Sequence, residues 1–193
     1  MLLLSKHFNI LEAAFAPLQE RFNLYACDTY VPEGAPVYQP NLWNSALGEK
    51  RRENINCYSY ALNIAECGWG LPGYLQSAKS PNLIWNADNI KVGLERDGLL
   101  SIDKEDLTDL DIHVVAAFSR KMMRNKELYD FHFFRRDDNG FWSHKNGNAE
   151  VLCRDFLGRR ITDPENAFVN KVDFLGYWKV PEEGLDYYPD PEF

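Results

Sequence analysis

From Ser5 to Phe22 the apolar residues Phe8, Leu11, Ala14, Phe15 and Leu18 recur at intervals of three and four, the stripe of an amphipathic helix. Pro17 is placed to kink or end it. The period is lost between Asn23 and Asn54, where Pro32, Gly34, Pro36, Pro40 and Gly48 predict an irregular segment anchored by Tyr30, Tyr38 and Trp43. Long loops of this kind often flank a site. Helical spacing returns over Asn56 to Cys67: Cys57, Tyr60, Ala61 and Ile64 share a face, Asn56 suits the N-cap, and Gly68 and Gly70 stop the run. Ser80-Pro81 offers a cap and a first-turn proline for a third helix to about Arg96, ended by Asp97-Gly98.

After that the pattern is that of strands. Ile112 to Phe118 is a short buried run, Tyr129 to Arg136 and Phe141 to Lys145 flank an Asp-Asp-Asn-Gly turn, and Glu150 to Arg154 and Phe174 to Val180 follow. Helices first and a mostly antiparallel sheet afterwards define an α+β class with N-terminal helices packed on the sheet. No repeat or compositional break divides the chain. The expected organisation is a single domain over 1–193: a helix over 1–22, an irregular segment over 23–54, a core over 55–180 and a polar tail over 181–193.

Composition narrows the function classes. With 193 residues, 45% of them apolar, the chain can bury one sizeable core. A formal charge of −8 leaves no broad basic surface for phosphates, so nucleic acid is not an expected partner. The aromatic fraction of 14% suits a groove for an extended ligand as well as a core. The opening Met1-Leu2-Leu3-Leu4 is cut by Ser5-Lys6-His7 before it reaches the length of a signal core or membrane span. Cys27, Cys57, Cys67 and Cys153 are scattered without a paired framework, as in a reducing compartment. The expected location is the cytoplasm, with export by a signal-less route as the alternative.

The candidate chemistry starts at Cys57. A cysteine in the first turn of a helix gains from the local dipole and free N–H groups, which favour the thiolate and can also hold an oxyanion. On position alone Cys57 is equally a small core residue. The hairpin from Asp130 to Lys145 adds a histidine in each strand. If Asp138-Asn139-Gly140 is a three-residue loop with Gly140 left-handed, Asp137 faces Phe141 and Phe134 faces His144. His132 and His144 then leave the same face as diagonal neighbours; a two-residue Asn-Gly turn would put them on opposite faces. A base beside a thiol needs a third group to fix its tautomer, and a second imidazole can serve.

Singly, His132 reads as a satisfied core histidine and His144 as a hydrogen-bonding residue beside a turn. Asp163 before Pro164 could replace His144 as orienter, but Asp-Pro turns are common. Zinc on Cys57, His132 and His144 lacks a fourth ligand at a recognisable spacing. Cys67 reads as packing, His7 and His113 have no evident partner, and Arg135 and Arg136 read as a solvated charged hairpin rather than an anion site.

Cysteine at a helix start, histidine opening an apolar strand and a polar residue on the next strand resemble the papain-like superfamily. The twelve-residue spacing of His132 and His144 is similar to that of the NlpC/P60 group, with Cys57 in Asn56-Cys57-Tyr58-Ser59-Tyr60-Ala61-Leu62 matching the nucleophile. The Trp-Ser-His-Lys segment and the Ile161-Thr162-Asp163-Pro164 turn look like a little-described bacterial branch of it. The match covers roughly Asn54 to Lys145 and, loosely, Phe174 to Trp178. Asn56 stands where that group has an acidic residue, and its Trp-Gly-Gly stretch is not reproduced, so wall-peptide specificity is not implied. The resemblance implies a cysteine hydrolase acting on an amide or peptide substrate, a protein included, through Cys57, His132 and His144, without a cofactor. Acyl transfer, transglutamination, deamidation, or a binding module that has lost turnover are the alternatives.

Overall fold

The structure, a computed structural model, describes residues 27–44, 49–76, 84–109, 111–121, 129–169 and 172–189. The helix expected over Ser5–Phe22 and the Ser80-Pro81 start lie outside these residues, as does His7.

The hairpin loop sets the register of the sheet. Gly140 takes φ 77° and donates to the Asp137 carbonyl, while Asp137 donates to the Phe141 carbonyl at 2.8 Å. This is the three-residue loop, and it pairs Phe134 with His144 across strands β4 (Tyr129–Arg136) and β5 (Trp142–Lys145). Strands β2 (Leu100–Ile102), β3 (Val114–Lys121), β6 (Val151–Leu152) and β7 (Val172–Lys179) complete an antiparallel sheet in the order β2-β7-β3-β4-β5-β6. The strand expected over Glu150–Arg154 shortens to two residues because Arg154 leaves the ladder to bridge Arg160, and the one expected over Phe174–Val180 forms as β7.

Both faces of this sheet are covered, which is why β3 reads as an unbroken apolar run. On one face Val115, Ala117, Phe131, Phe133 and Trp178 pack against Cys57, Tyr58, Ala61 and Leu62 and against Ile90 and Leu94. On the other, Val114, Ala116, Phe118, Phe134, Trp142 and Tyr177 pack against Ile161 and Val169. The fold is thus α+β with few helices and a mostly antiparallel sheet.

The helices are shorter than the sequence suggests. Within 27–54, α1 (Pro40–Asn44) and α2 (Glu49–Asn54) form in the segment expected to be irregular. The helix expected over Asn56–Cys67 is only α3 (Cys57–Ala61), followed by a separate 3₁₀ turn at Ala65–Cys67. Asn63 stops it: at φ 60° its N–H bonds the Tyr60 carbonyl, and the Ile64 N–H bonds that of Ser59, a Schellman closure with asparagine at the left-handed position. Helix α4 (Ala87–Arg96) starts on Asn86, whose side chain accepts from the Asn89 N–H.

A second sheet was not expected. Strand β1 (Asp28–Tyr30) pairs with β8 (Leu185–Tyr187), which lies in the supposed polar tail and buries Leu185 and Tyr187 in the core. Gly184 precedes β8 at φ 95°, where a Cβ would stand 2.2 Å from the Tyr30 carbonyl oxygen, so the approach of these strands requires glycine. Among the described residues no helix is long and apolar enough to cross a membrane.

Candidate functional site

Asn56 builds the start of α3. Its Oδ1 accepts from the N–H groups of Tyr58 and Ser59, both at 3.1 Å, while its Nδ2 donates to the Gly70 carbonyl at 2.6 Å. The asparagine that stands in place of an acidic residue therefore caps the helix and ties it to the following turn, a second job a carboxylate could not do. Two of the first-turn N–H groups expected to be free for an oxyanion are thereby occupied. Asn56→Ala loses the cap and the Gly70 tie together, and chemical denaturation is expected to show a loss of about 2 kcal/mol.

Cys57, at the first position of α3, sits against the flank of β4. Trp142 donates its N–H away from β4, to Ile161, whereas Asp137 donates to Phe141. By the alternation of an antiparallel ladder, the odd-numbered residues of β4 then turn their N–H and C=O toward β5. The pairing of β4 with β5 ends at Phe134 and His144, which leaves Phe131 and Phe133 with backbone groups beyond its reach. The Cys57 thiol takes that place, donating to the Phe131 carbonyl at 3.9 Å, with the Phe133 N–H also directed to the sulfur. Burial pushes the thiol up to about 12, with Asp130 adding to the rise.

The two imidazoles meet. His132 and His144 project from the face that carries Phe134, and His132 Nε2 lies 2.9 Å from His144 Nδ1 with the rings nearly perpendicular. The contacts beyond this pair fix the protons. His144 Nε2 stands 3.3 Å from the Arg154 carbonyl, which can only accept, so Nε2 carries the hydrogen. Neutral His144 therefore presents a bare Nδ1, to which His132 donates from Nε2. That leaves Nδ1 of neutral His132 as a lone pair, the tautomer a general base needs. Burial holds His132 well below the usual histidine range, with His144 adding to the effect, and lowers His144 to about 4.

The structure thus joins His132 to His144 and brings Cys57 to the peptide flank of His132. The thiol's hydrogen bond goes to the Phe131 carbonyl rather than to an imidazole. Cys57 and His132 are each 5% exposed and His144 is fully buried. Asp163 is committed elsewhere: it caps the 3₁₀ turn Pro164–Asn166 and holds Lys104 and the Tyr177 hydroxyl. His113 has partners after all, with Nε2 donating to the Ala61 carbonyl and Nδ1 accepting from the Tyr30 hydroxyl. Tyr58 is buried on Phe133 and donates to Asp97.

Arg135 and Arg136 correct the sequence reading, because neither is solvated. Arg135 donates to Asp137, Asn63 and the Val37 carbonyl and lies over the Tyr60 ring, while Arg136 donates to the Asp109 carbonyl. Lys145 was missed altogether: it is fully buried, with its ammonium on three backbone carbonyls. Its signal was alternation, since with His144 facing Phe134 the next residue must point to the helix-covered face.

No protein-family model matches the chain, and no solved structure matches it. It is similar to the insoluble matrix shell protein 1 of Ruditapes philippinarum, at 30% identity over 144 residues, which span 74% of this chain and 88% of the relative. On that extent of shared sequence, the chain belongs to the family of this insoluble matrix shell protein.

Proposed function

We propose that Cys57, His132 and His144 form the triad of a papain-like, NlpC/P60-like cysteine hydrolase that cleaves an amide or peptide bond. The observation that carries this reading is the tautomer chain from the Arg154 carbonyl through His144 to His132, which leaves His132 Nδ1 unprotonated on the strand that flanks the thiol. In the reaction, Cys57 turns about its Cα–Cβ bond from the Phe131 carbonyl to His132 and passes its proton to Nδ1. The thiolate adds to the substrate carbonyl, the C–N bond breaks, and His132 returns the proton to the leaving amine; water then hydrolyses the thioester. The charge on His132 strengthens its Nε2–H bond to His144, which is how the second histidine favours the ion pair.

A second reading is a structural or binding member without turnover. It is favoured by the closed burial of the thiol, held neutral by its surroundings, and by the matrix role in the relative's name.

The rate of iodoacetamide alkylation against pH separates the two, read by peptide mass with Cys27, Cys67 and Cys153 as internal controls. Catalysis predicts that below pH 8 Cys57 reacts at least about tenfold faster than exposed Cys27, and that His132→Ala removes the advantage. If Cys57 is slower than Cys27 throughout and indifferent to His132, the hydrolase reading is wrong and the structural one stands.

A further inference from the structure

Lys145 follows His144 on β5 and points to the opposite face of the sheet, toward α3. Its Nζ donates to the carbonyls of Arg52 and Gly147, each at 2.5 Å, and of Ile55 at 2.6 Å. All three of its protons are thereby used. Each acceptor is neutral, and among the described residues Lys145 enters no ion pair. A fully buried ammonium without a counter-ion is costly, and neutral hydrogen bonds offset only part of that cost. A residue whose role was only to fill this space would be better apolar.

The acceptors show what the ammonium holds. Arg52 lies in α2, and Ile55 is two residues before Cys57. One side chain therefore ties the approach to the cysteine onto the strand that carries His144. Lys145 leaves β5 on the same face of the sheet as Cys57, whose thiolate Arg120 favours and Asp130 opposes; burial lowers Lys145 to about 8, which still leaves it mostly charged at pH 7, and Cys57 works to raise it.

We propose that Lys145 is a positioning residue for Cys57, fixing the start of α3 against β5 and supplying the buried cation that the thiolate faces. This rests on the hydrolase reading and adds to it a group that no part of the triad logic requires. Lys145→Gln keeps a donor and removes the charge. It is expected to raise the pH midpoint of Cys57 alkylation by about one unit, a tenfold lower rate at pH 7, whereas Lys145→Arg restores the wild-type midpoint. A purely structural lysine would lower the melting temperature of Lys145→Gln and leave the midpoint in place, and that result overturns the inference.

Should Lys145→Gln fail to fold, the full chain with Cys57→Ser gives the same answer. Serine cannot ionise in this range, so the NMR titration midpoint of the Lys145 Cε falls if the cation faces a thiolate, and an unchanged midpoint overturns the inference. Failure of the hydrolase reading is seen separately, in the wild-type protein, as a Cys57 no more reactive than the control cysteines. That result removes both.

Discussion

Arg135→Ala is expected to destabilise the protein by about 3–5 kcal/mol at pH 7, a fall in Tm of roughly 10 °C. The guanidinium is fully buried and its Nε stands 3.1 Å from Asp137 Oδ1, which also accepts from the Ser143 hydroxyl. Ser143 in turn bonds the Tyr60 hydroxyl at 2.7 Å, and Tyr60 lies under the guanidinium, whose centre is 4.3 Å from the ring. Removing Arg135 leaves the Asp137 carboxylate buried against a low-dielectric wall and strips the Asn63 amide oxygen and the Val37 carbonyl of their donor. The Asn63 contact carries further, because Asn63 is the left-handed residue that ends α3. Arg135→Lys is expected to recover little, since an ammonium cannot span these separated acceptors or stack on the ring. Asp137→Asn separates the charge from the contacts: it keeps the bonds to Arg135 and Ser143 within reach and loses the ion pair. A loss below 1 kcal/mol for Arg135→Ala in urea denaturation would show that the network is not a determinant of stability.

The same residues show which parts of the fold were legible in the sequence. The hairpin was, up to its turn type: the sequence allows a three-residue loop or a two-residue Asn-Gly turn, and the three-residue loop that forms decides that His132 and His144 share a face. Its charged residues were not. Arg135 and Arg136 sit beside a turn, where composition argues for solvent, and only the covering of both sheet faces buries them. The end of α3 was hidden because the apolar period runs on through Ile64, while the signal that breaks it is one asparagine tolerant of positive φ. Strands β1 and β8 were hidden for another reason. Each is three residues long, and each is held by pairing with a partner more than 150 positions away, which no local window records. The placement of the thiol falls between these cases: the sequence puts Cys57 at the start of a helix, and only the early end of β5 shows which backbone groups it meets.

Acid should unfold this protein through its buried histidines, well before its carboxylates would ordinarily titrate. His113 is lowered to about 3 and His144 to about 4, in both cases chiefly by burial, and burial also holds His132 well below the usual range. A base whose folded pKa is depressed contributes stability above its unfolded pKa, near 6.5, and loses it as pH falls toward the folded value, because the unfolded chain takes the proton first. Between pH 7 and pH 5 His113 and His144 each lose roughly 2 kcal/mol by this linkage, and His132 changes in the same direction. Two carboxyls work in the opposite direction. Burial pushes Asp97 up to about 6 despite its bonds from Tyr58, Gly73 and Leu75, and pushes Asp137 up to about 6 despite Arg135. Their folded pKa values lie above the unfolded one, so each regains roughly 1.3 kcal/mol over the same interval as the folded state takes up a proton. The net expectation is a loss of roughly 1 kcal/mol from pH 7 to pH 5 before His132 adds to it, measured as the change in unfolding free energy in urea at a series of pH values. His113→Gln retains a side-chain donor for Ala61 and removes one titrating group, and it should shrink that loss by roughly 2 kcal/mol. A stability that is flat or rising from pH 7 to pH 5 would mean that the histidines are already charged in the folded protein. His132 could not then be the neutral base that the tautomer chain assigns it to be.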